Sequence, residues 1–294
     1  MTCVQGAASQ IALNGQSFPF INMRSLVVQE LMDGSTDAIT GDLQSYDERW
    51  DLGIMRIGHR ITLEPTPEEL DVLLPLMGLP QSPTDTFTLA QSIPSFPFIV
   101  DYVTKVHTFT NCVIGRWRLQ GARGSAPIRL LLDLIGKTRP TEGNAGSFSA
   151  SSRKTDAPIP FSRGTMTLNS VERQFNQFVL ACDFNVAQQY NNSFLPTDLC
   201  PTNIQSYLAT SVPYDSTNSP LVKVPVVDAD VSSFAGTLAF TRGTMSSSWA
   251  MTALRPVQRM PDILGKVEIR APLYYRINRN ANTAAIVVTH TTPA

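Results

Sequence analysis

Charge is scarce in this chain of 294 residues: Asp, Glu, Lys and Arg make up 16% of it, against ~25% in an ordinary soluble domain. Histidine is scarcer, with His59, His107 and His290 far apart. The four cysteines, Cys3, Cys112, Cys182 and Cys200, form no CxxC pair. Metal sites need several such ligands that converge, so no metal is expected. Cys112 and Cys182 sit inside apolar runs, where a free thiol behaves as a small hydrophobe, and no disulfide framework is expected. No run approaches the ~18 apolar residues of a membrane span. The N-terminus lacks a basic start followed by an apolar core, so no signal peptide is expected.

Reactive motifs are also missing. There is no G-x-S-x-G elbow and no Walker-type loop. Gly136-Lys137-Thr138 lacks the preceding glycine of a phosphate loop and follows a strand with no evident helix after it. Glu64, Glu68, Glu69 and Asp71 crowd one helix start. Paired carboxylates can serve glycoside hydrolysis, but acids at a helix N-terminus are favoured by its dipole and need no such role. The expectation is a non-enzyme, with no catalytic residue and no cofactor.

What the chain does have is sheet-forming sequence. Apolar residues are 43% of the total, enough for a substantial core. The polar surface is built from Thr, Ser, Asn and Gln. Such a surface is cheaper to desolvate than a charged one, which fits a chain covered by neighbouring subunits. Net charge is -1, and no run of Lys and Arg is long enough to suggest tight nucleic-acid binding. Arg116, Arg118, Arg123 and Arg129 form a local basic cluster, read as a solvated or subunit-paired strand face.

Trp50 to Leu63 alternates, with Met55, Ile57, His59, Ile61 and Leu63 on the more apolar side and Arg56 and Arg60 on the other. A helix over 67–77 follows. Thr66 is its N-cap, Pro67 its first residue, Glu69 completes a capping box and Gly78 closes it. Leu70, Leu73, Leu74 and Met77 have helical spacing and should pack on a sheet. Phe98 to Leu119 reads as a hairpin turning near Thr110 or Asn111, or as one long ribbon. Ile128 to Ile135 is apolar enough to be covered on both faces. Gly164–Leu168, Gln174–Val186, Leu221–Val227, Ala235–Phe240, Ser248–Leu254, Val267–Arg276 and Ala284–Thr289 are further strand candidates.

The expected organisation is an N-terminal arm or lead-in over 1–45, with one or two helical turns at Leu26–Met32. A first β-module spans 46–138, a linker or loop 139–157, and a second β-module 158–294. A short helix is expected near Pro201, carrying Ile204, Tyr207 and Leu208, in parallel with the one at Pro67. Two echoes accompany it. Leu134-Ile135-Gly136-Lys137 is repeated in kind at Ile263-Leu264-Gly265-Lys266, and Phe161–Met166 at Phe240–Met245. Their offsets disagree, so a duplicated β-module is one reading and convergent turn chemistry the other.

Three blocks together resemble the major tail tube protein of long non-contractile-tailed bacteriophages. One runs from Arg56 through Pro65-Thr66-Pro67-Glu68-Glu69-Leu70 to Leu73-Leu74-Pro75-Leu76-Met77-Gly78. The second is Val106 to Ile135, ending in Leu134-Ile135-Gly136-Lys137. The third is Pro261-Asp262-Ile263-Leu264-Gly265-Lys266-Val267-Glu268-Ile269, followed by Pro272-Leu273-Tyr274-Tyr275-Arg276 and a last strand before the Thr-Pro end. The resemblance spans roughly residues 50–294.

It implies a mainly β fold: an antiparallel β-sandwich or barrel-like module with short flanking helices, which a chain of this length would carry twice if the module is duplicated. It also implies a virion structural protein that self-associates into stacked rings around a genome channel, as a trimer of double modules or a hexamer of single ones. Other tail proteins, a tape-measure protein and DNA in transit would be its partners. The location would be the virion tail, assembled in the host cytoplasm. The N-terminal arm and Gly136–Ala157 are the expected inter-subunit or inter-ring contacts. The alternatives are a decoration or tail-terminator protein, and a carbohydrate-binding or carbohydrate-active β-sandwich.

Overall fold

The computed structural model describes residues 9–33, 50–123, 127–152, 154, 156–191, 193–218, 221, 232–257 and 269–292. Among them the chain is mainly β, with one short α-helix and antiparallel ladders throughout. The first half contributes β1 (Gln10–Leu13), β2 (Gln16–Phe18), β3 (Asn22–Asp33), β4 (Trp50–Leu63), α1 (Pro67–Leu76), β5 (Thr86–Thr88), β6 (Phe96–Asp101), β7 (Lys105–Ala122), β8 (Arg129–Gly136) and β9 (Thr141–Asn144). The second contributes β10 (Gly164–Leu168), β11 (Val171–Arg173), β12 (Gln177–Asp183), β13 (Val186–Gln189), β14 (Asp198–Pro201), β15 (Gln205–Pro213), β16 (Phe234–Arg242), β17 (Met245–Pro256), β18 (Arg270–Asn278) and β19 (Ile286–Thr291).

In the first half, β1 pairs with β2 and β6, β7 pairs with β6, β8 and β9, and β4 pairs with β8 and β3. In the second, β10 pairs with β11 and β16, β17 pairs with β16, β18 and β19, and β15 pairs with β18 and β12. β12 then bonds to β7, and β19 to β5, which joins the halves. The result is one long ribbon of strands in the order β3-β4-β8-β7-β12-β15-β18-β17. A separate ribbon, β13–β14, rises between β12 and β15.

The long ribbon buries one face. β8 alternates between buried and half-exposed along its length, so its second face is open and not covered as expected. The shorter strands pack on the buried face as a second layer, and ring contacts mark where the layers meet. His59 of β4 lies edge-on to Phe98 and Phe109, at centroid distances of 4.9 and 4.5 Å. Trp117 of β7 faces Trp249 of β17 at 5.8 Å, Phe178 of β12 faces Phe240 of β16 at 5.4 Å, and Tyr275 of β18 meets Phe234 at 5.4 Å. β17 belongs to both layers, pairing first with β16 and β19 and then with β18, and so does β7. The first part of β7 pairs with β6 and β9, and its second with β8 and β12, with a bulge between Ile114 and Arg116 where it changes over.

α1 forms as its sequence dictates. Glu69 N–H donates to Thr66 Oγ1 at 3.2 Å, and Thr66 N–H donates to Glu69 Oε2 at 2.9 Å. The helix closes at Gly78, whose φ of +79° suits glycine, and a Cβ there would stand 2.7 Å from the Phe184 ring. Trp117 Nε1 donates to Met77 O at 3.1 Å, fastening the helix end to β7. Leu70, Leu73, Leu74 and Met77 are fully buried.

Several expectations need correction. The strands do not curl into a barrel within the chain: among the described residues the pairings form no closed circuit. Leu26–Met32 is not helical but belongs to β3, laid along β4, where Val27 and Val28 suit a pleated backbone. Within residues 9–33, Ile11, Ala12 and Leu13 of β1 are fully buried, and β3 pairs with β4 across the expected boundary at residue 45. No helix starts at Pro201, which ends β14; Tyr207 and Leu208 belong to β15, with Leu208 turned into the core. The hairpin turns at Tyr102–Thr104, where Asp101 Oδ1 accepts from Val103 N–H at 2.7 Å. Residues 139–157 include β9, bonded to β7. The echo of Phe161–Met166 in Phe240–Met245 joins partners, since β10 is hydrogen-bonded to β16 with Gly164 opposite Phe240. The Leu221–Val227 strand candidate lies largely outside the described residues, and Ile263–Lys266, residues 1–8 and residues 34–45 lie wholly outside them.

Candidate functional site

Among the described residues, His290 and Asp71 are the candidate reactive side chains that come together, and they do so where α1 docks on the last strand. His59 donates or accepts through Nδ1 with Ser25 Oγ at 2.9 Å, and burial pushes its pKa down to about 4. His290 Nε2 donates to Pro67 O at 2.8 Å and lies 3.5 Å from Asp71 Oδ1. The helix-start carboxylates are each engaged locally. Glu64 pairs with Arg129 at 3.3 Å, Glu68 with Lys154 at 3.3 Å, and Glu69 caps α1. Asp71 accepts from Thr292 Oγ1 at 3.0 Å. Burial raises the thiols of Cys112 and Cys182 to about 12, which makes them poor nucleophiles. Gly136 ends β8, Lys137 N–H donates to Asn111 O at 2.9 Å, and β9 follows, so Gly136–Thr138 is a strand exit. Among the described residues no three His, Cys, Asp or Glu side chains are grouped to hold a metal.

The distinctive surface is the open face of the long ribbon. Antiparallel partners point to the same side, so register fixes which side chains share it. One row runs Arg24, Arg60, Asp133, Arg116, Asp183 and Gln205 across β3, β4, β8, β7, β12 and β15. A second runs Leu131, Arg118, Ala181, Tyr207, Arg276 and Arg255 from β8 to β17. Arg56 and Arg129 extend the same face.

The carboxylates on it are spoken for. Arg60 Nη2 donates to Asp133 Oδ2 at 3.0 Å, and this hydrogen bond, with the charge behind it, raises the Arg60 pKa. Arg116 lies 3.8 Å from Asp183 and donates from Nη2 to Tyr207 OH at 3.2 Å. Tyr207 stacks on Tyr274 at 5.3 Å. Arg24, Arg118, Arg255 and Arg276 have no ion-pair partner among the described residues. The face is therefore basic in a chain whose net charge is -1.

Of the sequence-level basic cluster, Arg116, Arg118 and Arg129 meet on this face. Arg123 instead lines an open groove of about 680 Å³ with Pro127, Pro158, Phe161 and Phe175. Sequence reading missed Arg24, Arg255 and Arg276, which lie far along the chain from the cluster. Their only local signal is strand parity.

The ribbon also has an open edge. β3 has β4 on one side and no other strand partner among the described residues, and it exposes Leu26 (60%), Val27 (39%) and Val28 (43%). Unpaired apolar edge strands invite pairing with another chain. No family model matches the sequence, and no curated protein matches it.

Proposed function

We propose that the chain is a structural subunit that closes into rings, the rings stacking into a phage tail tube that conducts the genome. Its location is then the virion tail, assembled in the host cytoplasm beside other tail proteins. The observation that carries the reading is the strand order of the ribbon. β3-β4-β8-β7 follows the same plan as β12-β15-β18-β17: a hairpin-like pair, then the second and first strands of another pair. The shorter strands repeat as well, with β1, β2, β6 and β9 corresponding to β10, β11, β16 and β19. This supports a duplicated module, independent of the offsets between sequence echoes.

The two modules meet where β7 bonds to β12. The strand equivalent to β7 in the second module is β17, and the strand equivalent to β12 in the first is β3. Repeating the same joint between copies would set β17 of one chain against β3 of the next. A head-to-tail joint of this kind closes into a ring when its rotation allows, and the ring removes the open edge. Closure into a barrel would then occur between chains. The six modules per ring that the sequence resemblance implies correspond to three chains.

The edge itself is the test. Leu26→Lys with Val28→Lys should leave the circular dichroism spectrum unchanged, since both side chains are exposed, and should leave the protein monomeric in sedimentation velocity while the parent chain forms rings or tubes. Tubes from the doubly substituted chain would remove β3 from the joint. A parent chain that stays monomeric at high concentration would favour a binding module instead.

A further inference from the structure

We propose that the open, arginine-bearing face of the ribbon contacts the phosphate backbone of duplex DNA without reading its sequence. Its place in the tube rests on the proposed function, in which this open face would line the channel of the ring, but its chemistry does not. Two cross-strand pairs set arginine directly against arginine: Arg24 opposite Arg60, and Arg255 opposite Arg276. Like charges so placed destabilise a sheet, and an anion lying over both turns repulsion into attraction. Arg24, Arg118, Arg255 and Arg276 have no ion-pair partner among the described residues, so their guanidinium groups are available. Guanidinium is the side chain best shaped for bidentate phosphate contact.

The extent of the face argues for a polymer. Arg24 on β3 and Arg255 on β17 stand at opposite ends of the ribbon, roughly 34 Å apart at the usual strand spacing. No small anion spans that. The face also lacks the means of sequence readout. It is a broad sheet of eight strands, far wider than the helix or two-stranded ribbon that a major groove admits, and its Tyr207 and Tyr274 rings stack on each other. Contacts confined to phosphate fix position and carry no sequence information. The resulting affinity is modest and steeply salt-dependent, which suits a polymer that must pass.

The test is fluorescence anisotropy of the full chain with two labelled 30-bp duplexes of unrelated sequence, titrated between about 50 and about 200 mM salt. Both duplexes should bind alike, and log K should fall linearly with log salt. Arg118→Gln with Arg276→Gln should weaken binding at least about tenfold at the lower salt and reduce the slope by about 2. Arg163→Gln, outside the ribbon, should change neither. Binding by the double variant equal to that of the parent overturns the proposal. So does tighter binding to polyglutamate of matched charge than to duplex. Face-dependent DNA binding by a chain that never assembles would keep this inference and remove the channel reading, whereas tubes that do not bind DNA would do the reverse.

Discussion

Leu180 of β12 stands directly opposite Leu119 of β7, and neither side chain reaches solvent. The pair lies in the ladder that joins the two halves of the chain, so the halves share one core across it. Leu180→Ala should destabilise the protein by about 2–5 kcal/mol, the usual range for a buried leucine. Thermal unfolding followed by calorimetry and by tryptophan fluorescence should remain one coincident transition. Two separate transitions in the parent chain would mean that the joint does not couple the halves.

His59 makes stability pH-dependent. It is buried between Phe98 and Phe109, and its pKa is about 4 when folded against ~6.5 when unfolded. The unfolded state therefore takes up the proton first. The stability that neutral His59 carries is whole above pH ~6.5 and is lost as pH falls toward 4, by about 3 kcal/mol in all. Urea midpoints measured from pH 7 to 4 should fall more steeply for the parent than for His59→Gln. Parallel pH profiles would show that His59 is not the group responsible.

The two ends of α1 can be tested separately. Thr66→Ala removes the side-chain acceptor of the capping box and should cost about 1 kcal/mol. Gly78→Ala should cost more, because it places an alanine at φ +79° and a Cβ 2.7 Å from the Phe184 ring. Chemical denaturation gives both values. A smaller loss for Gly78→Ala than for Thr66→Ala would show that Phe184 yields easily.

Features specified by neighbouring residues are legible in the sequence. The alternation of Met55, Ile57, His59, Ile61 and Leu63 is the buried face of β4, and Thr66 with Glu69 is the capping box of α1. Features decided by distant partners are not legible. Pro201 looks like a helix start in isolation, but Val186 stands opposite it in the β13–β14 ribbon. Leu26–Met32 is ambiguous until β4 lies beside it. The arginine face is the extreme case. Arg24, Arg60, Arg118 and Arg276 are dispersed along the chain, and only strand register gathers them.

The proposed ring is tested most directly by electron microscopy of the purified protein, with any tubes viewed end-on. The expected image has three chains per ring, each presenting two similar β-modules to the channel, with β17 of one chain beside β3 of the next. Six chains per ring would contradict the double module, and discrete particles without rings would contradict the tube.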